Sequence, residues 1–156
     1  MSFLNTINII GSGLTAQQLR LDVVSENVTN SQTTRVENGE GAYRRKMVVF
    51  EAVSGRNSFR AALARAAAGA VPNAGAAPNA GGVRVTQIVE DEETPMKMSY
   101  DPTHPDANED GYVELPNVDM VMEMADAMAA SRAFASNVTA FNTLKSVISS
   151  GLEIGR

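Results

Sequence analysis

The sequence predicts a mainly α-helical chain with a small β-rich middle, on three observations. Apolar residues recur at helical spacing at both ends, over 3–29 and 117–152. Between them the period falls to two, in short runs separated by Gly, Pro, Asn and Asp. Aromatics are only 5% of the 156 residues and Trp is absent, while Met reaches 8. Such a composition suits thin helix–helix packing better than one thick core.

The first helix is read over 3–29. Leu4, Ile7, Gly11, Leu14, Gln18, Leu21, Ser25 and Val28 alternate three and four apart, and Ile10, Val23 and Val24 widen the stripe. Ser2 can cap its start. Asn30-Ser31-Gln32-Thr33-Thr34 stops it, because short polar side chains compete for backbone hydrogen bonds. Its length would be about 40 Å.

Residues 42–53 are β-prone, with Tyr43-Arg44-Arg45-Lys46 leading into Met47-Val48-Val49-Phe50. Ala, Gly, Pro and Asn dominate 54–82, which reads as an exposed insertion with a short helix over 57–69. Val83–Val89 alternates as a half-buried strand, and Met96–Tyr100 does the same. Asp101–Pro116 is loop, with a short strand at Tyr112–Leu115. The second helix spans 117–152, capped by Asn117 or Asp119. Asp119, Glu123 and Asp126 near its start suit the helix dipole. Its apolar stripe is Val121, Met124, Met128, Ser131, Ala135, Val138, Phe141 and Ile148. Two helices cannot hide such stripes from water without partners.

Charge and composition exclude several function classes. Lys+Arg is 13 against Asp+Glu at 18, a net charge of -5, which disfavours sequence-independent nucleic-acid binding. The chain has no Cys and 1 His, so thiolate chemistry and a His-rich metal site are excluded. No run reaches the ~18 apolar residues of a membrane span, and the apolar N-terminus lacks a basic n-region and a cleavage site. On these signals alone the chain reads as cytosolic and soluble.

Several motifs have a plain reading beside a chemical one. Gly11-Ser12-Gly13-Leu14-Thr15-Ala16 matches the dinucleotide pattern, which makes a dinucleotide-binding enzyme fragment the alternative function. That reading lacks a second strand ending in an acid, and small residues where another helix comes close explain the pattern as well. Asp106–Gly111 matches the start of a calcium loop, but position twelve is Asn117 and Asp101-Pro102-Thr103-His104-Pro105 precludes a preceding helix; an Asp-Gly turn is expected. His104 reads as a turn residue, and Arg44-Arg45-Lys46 as a solvated strand edge. Met120, Met122, Met124 and Met128 read as core and interface filler. Asn27-Val28-Thr29 and Asn137-Val138-Thr139 are formal glycosylation sequons inside predicted helices.

Ser12-Gly13-Leu14-Thr15-Ala16-Gln17, followed by Val24-Ser25-Glu26-Asn27-Val28-Thr29-Asn30, resembles the N-terminal signature of bacterial flagellar rod, hook and hook-associated proteins. Four further blocks point within that family to the proximal rod. They are Tyr43–Lys46 with Val48–Phe50, Tyr100–Ala107, Gly111–Val113 with Pro116–Asp119, and Ala130–Phe134 with Asn137-Val138. The resemblance covers nearly all of the chain except 54–82, and Phe134 stands where the family is expected to have Tyr. A hook or distal-rod relative usually carries a larger middle domain.

The resemblance implies a structural subunit and no enzyme, with no cofactor. It implies self-assembly with other rod proteins, export by the flagellar type III apparatus without a cleaved signal, no membrane-spanning segment and a location in the basal body, outside the cytoplasmic membrane. It also implies that the two terminal helices pair as a coiled coil. The expected division is an N-terminal axial helix at 1–35, a β-rich middle at 36–116 and a C-terminal axial helix at 117–156. Expected assembly residues are Leu4, Ile7, Leu14, Leu21, Asn27 and Asn30 on the first helix side, and Val121, Met128, Phe134, Asn137, Val138, Phe141 and Ile148 on the second.

Overall fold

A computed structural model describes residues 3–36, 41–53 and 81–154. Two long helices bracket four short strands: α1 (Phe3–Thr29), β1 (Lys46–Ala52), β2 (Val83–Glu90), β3 (Lys97–Tyr100), β4 (Tyr112–Leu115) and α2 (Met120–Ile154). The expected Ser2 cap, the 57–69 helix and most of the Ala/Gly/Pro segment lie outside the described residues.

The helix ends follow from local chemistry. α1 stops where the Asn30 backbone N–H and side-chain Nδ2 both bond to the Glu26 carbonyl, each at 3.0 Å. Thr33 Oγ1 then donates to Asn30 Oδ1 at 3.1 Å, so the polar run captures the orphan groups of the last turn. α2 begins at an Asp119 cap, whose Oδ1 accepts the Val121 N–H at 2.9 Å.

The chain divides into two compact units. One comprises Met1–Ala16, Phe50–Val85 and Phe134–Arg156; the other comprises Gln17–Val49 and Thr86–Ala133. In the second unit β3 and β4 pair antiparallel in the register Lys97↔Leu115, Met98↔Glu114, Ser99↔Val113 and Tyr100↔Tyr112. The last pair stacks edge-to-face, with ring centroids 5.3 Å apart. The turn between these strands confirms the Asp-Gly expectation. Asn108 Oδ1 accepts from the N–H groups of Asp110 and Tyr112, and Gly111 takes a φ of 79°, which a Cβ would disfavour. Asp106 turns to Thr34 and Arg35, so the would-be calcium ligands are occupied by the fold. His104 Nδ1 accepts the Asp106 N–H, the turn role expected of it. The apolar core here is Val23, Val24, Ala42, Tyr43, Val113, Val118 and Ala130.

In the first unit, the Val53 N–H donates to the Gly82 carbonyl at 2.9 Å. Gly82 has φ 113°, and a Cβ there would lie 2.5 Å from Ser12 Oγ. That oxygen accepts the Val83 N–H and donates to the Ile9 carbonyl. The backbone of 82–83 thus lies flat on α1.

β1 and β2 form a two-stranded sheet. Its end bonds, Val53 to Gly82 and Asp91 to Arg45, make the strands antiparallel. The expectation of a half-buried β2 needs correction: every residue of it except Val85 is exposed. A two-stranded ribbon has too few neighbours to cover either face.

Candidate functional site

The face that α1 covers is not its stripe of large apolar residues. Gly13, Ala16, Arg20, Val23 and Asn27 recur three and four apart, and Ala16, Val23 and Asn27 are buried. On α2 the same spacing runs through Glu123, Ala127, Ala130, Phe134, Asn137, Phe141, Leu144 and Ile148, of which Phe141 alone is exposed. In the first unit the helices meet at Gly13, where a Cβ would come within 3.0 Å of Asn137 Nδ2.

In the second unit Asn27, only 1% exposed, is the centre of a polar hub. Its Nδ2 donates to the Lys46 carbonyl at 2.9 Å and to Glu123 Oε2 at 3.0 Å. Its Oδ1 accepts from the Tyr43 hydroxyl at 2.8 Å and the Lys46 N–H at 2.9 Å. All four hydrogen-bonding positions of the amide are filled. Glu123 is fully buried, and its Oε1 accepts from Arg45 Nε at 2.5 Å. Arg20 Nη2 donates to Asp126 Oδ1 at 2.8 Å, and Arg45 Nη2 lies 3.5 Å from Asp126 Oδ2. Asn117 Oδ1 accepts the Arg45 N–H, while its Nδ2 donates to the carbonyls of Asp91 and Thr94.

The hub also sets local protonation. Burial raises the Tyr43 phenol above its ordinary range, helped by the carboxylates of Glu26, Glu123 and Glu90. The Thr94 backbone N–H, then its hydroxyl, holds the Asp91 carboxyl below its ordinary value.

Among the expected assembly residues, Asn27 lies in the hub and Asn30 ends α1. Ile7, Leu14, Leu21, Phe134, Asn137 and Ile148 are half-buried. Leu4 is 68% exposed, Val121 74% and Met128 55%; Val138 and Phe141 are exposed too. The Met run is therefore surface and not core. Sequence reasoning missed Tyr43, Arg45, Lys46, Glu123 and Asn117 as hub members. Arg45 and Lys46 are not a solvated strand edge: Arg45 pairs with Glu123 and Asp126, and Lys46 with Glu26. The available signal was Glu123 itself, an acid at helical spacing from Ala127 and Ala130.

The dinucleotide alternative fails on geometry. α1 runs unbroken through Gly11–Ala16, and Ile7–Ile10 is helix where a strand is required. Among the described residues no group of His, Asp and Glu could hold a metal ion, and no helix is long and apolar enough to cross a membrane. Two long helices, a small antiparallel β middle and large apolar side chains left exposed are features of a structural subunit.

Comparison with known proteins agrees. The family described as "Flagella basal body rod protein" matches residues 7–35, and "Flagellar basal body rod FlgEFG protein C-terminal" matches residues 109–154. A flagellar basal-body rod protein FlgC of Bacillus subtilis is 43% identical over 159 positions, covering 100% of both chains. That of Borreliella burgdorferi is 39% identical, covering 99% of this chain and 98% of its own. That of Escherichia coli O6:H1 is 38% identical over 156 positions, 100% of both. The chain belongs to the FlgC family of flagellar basal-body rod proteins and is a structural subunit of the rod.

Proposed function

We propose that this chain polymerises, with copies of itself and with other rod proteins, into the proximal part of the rod that carries torque. α1 and α2 pair as a coiled coil, and their outward apolar residues meet neighbouring subunits. The chain reaches its place through the flagellar type III export apparatus and works outside the cytoplasmic membrane, in the periplasmic space where an outer membrane exists. On this reading 1–35 and 117–156 are the axial helices and 36–116 is the middle domain.

One observation carries the reading: large apolar side chains stay outside. Val121, Met124 and Met128 in the second unit, and Leu4, Val138 and Phe141 in the first, remain exposed. Exposed apolar side chains in such number are costly unless a partner covers them. The contacts of Gly13 with Asn137, Arg20 with Asp126 and Asn27 with Glu123 support helix pairing.

The test is Phe141→Asp. It places a charge where neighbours are to pack, which low dielectric makes expensive. The isolated chain should keep its helicity because Phe141 is exposed in it. Basal bodies seen by electron microscopy should lack a complete rod, and the cells should not swim. Thr143→Asp, about 200° around the helix, is the control and should assemble. Asp126→Asn is unsuited as a control, since Asp126 pairs with Arg20 and Arg45. Full rods in the Phe141→Asp strain would remove Phe141 from any interface.

A further inference from the structure

We propose that Met124 and Met128 on α2 are oxidation sites, at which a hydroperoxide turns an assembling subunit into one that cannot assemble. The proposal rests on the reading that outward apolar residues of α2 meet neighbouring subunits. Half of the chain's 8 methionines, Met120, Met122, Met124 and Met128, crowd into the start of this one helix. Helical spacing puts Met120, Met124 and Met128 within an arc of about 80°, with Val121 on its flank and Met122 on another side. Met124 is 54% exposed, Met128 55% and Met122 62%, whereas Met120 is 37% exposed and Met96 is half-buried. Filling gaps in a core therefore does not explain Met124 or Met128. Their thioethers stand in solvent on a regular helix whose charged neighbours are engaged elsewhere: Glu123 with Asn27 and Arg45, Asp126 with Arg20 and Arg45.

The chemistry is that of an accessible thioether. A sulfur lone pair attacks one oxygen of the peroxide, the O–O bond breaks and a sulfur–oxygen bond forms. With hydrogen peroxide the second oxygen and both protons leave as water. The sulfur is oxidised by two electrons and the peroxide is reduced by two, so no further reagent is needed. An apolar side chain becomes a polar, chiral sulfoxide. On the free chain the change is nearly silent, because the sulfoxide stays hydrated. At a dry contact between subunits it is not, since the new oxygen must be stripped of water or find a donor. Contact with a neighbour also covers the sulfur, so reactivity ends where assembly begins. The sites thus sense peroxide in subunits that have not yet been incorporated.

Three measurements test this. Dilute hydrogen peroxide is added to the purified full-length chain, and each methionine is followed by mass spectrometry. Met122, Met124 and Met128 should gain an oxygen several-fold faster than Met96, with far-ultraviolet circular dichroism unchanged. The same treatment of intact basal bodies should oxidise Met124 and Met128 several-fold more slowly than in the free chain. Equal rates in the two states overturn the proposal while leaving the chain a rod subunit. Basal bodies that lack the chain would remove the assembly reading itself, and this proposal with it. Met124→Gln with Met128→Gln, polar side chains of similar length, should keep native helicity and leave rods incomplete by electron microscopy. Met124→Leu with Met128→Leu should build full rods and, in cells making the chain under sublethal peroxide, complete several-fold more of them than the native strain. Full rods in the Gln variant, or no resistance in the Leu variant, would overturn the proposal.

Discussion

Replacing Asn27 by Ala removes one side chain and breaks four hydrogen bonds. It orphans the N–H and carbonyl of Lys46, the Tyr43 hydroxyl and Glu123 Oε2. A buried polar group deprived of its partner costs about 1–3 kcal/mol, with the carboxylate at the upper end. The full sum is not reached, because water entering the space of the lost amide can satisfy some of the orphans. We expect a loss of about 3–5 kcal/mol, a large part of the 5–15 kcal/mol that an ordinary domain possesses. For a chain of this size that corresponds to a fall of roughly 10 °C in Tm. Urea denaturation followed by far-ultraviolet circular dichroism measures it, with the midpoint shifting and the slope unchanged. Asn27→Asp sharpens the test, since it keeps both accepted bonds but turns an oxygen toward Glu123 Oε2 and the Lys46 carbonyl. It should be at least as damaging at pH 7 and should recover partly toward pH 5, as protonation relieves the repulsion. A loss below 1 kcal/mol for Asn27→Ala, or an Asp variant indifferent to pH, would refute the view that these four bonds support the unit.

Three further outcomes follow from other parts of the chain. Gly82→Ala should lower Tm by several degrees, since φ 113° and a Cβ 2.5 Å from Ser12 Oγ both oppose it; Gly11→Ala, mid-helix with nothing within 4 Å, should raise stability by about 1 kcal/mol. The Asp91 carboxyl is held low in the folded chain, so its contribution is present above about pH 4 and is lost as pH falls further. Melts of Asp91→Asn should therefore lie below the native chain at pH 7, and the gap should narrow as pH falls below about 4. Hydrogen exchange should be slow at Val23–Asn27 and Glu123–Ala130 and fast at Val147–Leu152, where Val147 and Leu152 are exposed.

The elements were legible because their signals are local. The spacing of Leu4, Ile7, Leu14 and Leu21 and the polar run from Asn30 place α1 where it is found, and alternation places β3 and β4 within a residue or two. The faces were less legible. The residues that are fully buried are not the largest apolar ones: Ala16, Val23 and Val24 on α1 and Ala130 on α2 are covered, and a Cβ on Gly13 would meet Asn137 Nδ2. The hub was hidden for a different reason. Glu123 at the start of α2 satisfies the rule for acids near a helix N-terminus, which masks the one hint of burial, its helical spacing from Ala127 and Ala130. Arg45 and Lys46 read as solvated because their partners lie far away in sequence. The burial of a charge is decided by its partner, and sequence proximity does not reveal that partner.

The bond between Asn27 and Glu123 joins residues 96 positions apart, and that separation has a kinetic meaning. Closing a connection over more than half of the chain is slow, because the entropy of bringing the ends together is spent before any contact repays it. α1 can coil as soon as it exists, but Asn27 has no Glu123 to meet until the first four-fifths of the polypeptide is present. Whatever supplies this chain from one end, a ribosome or a narrow conduit, receives an unlocked helix first and a finished subunit only near the end of delivery.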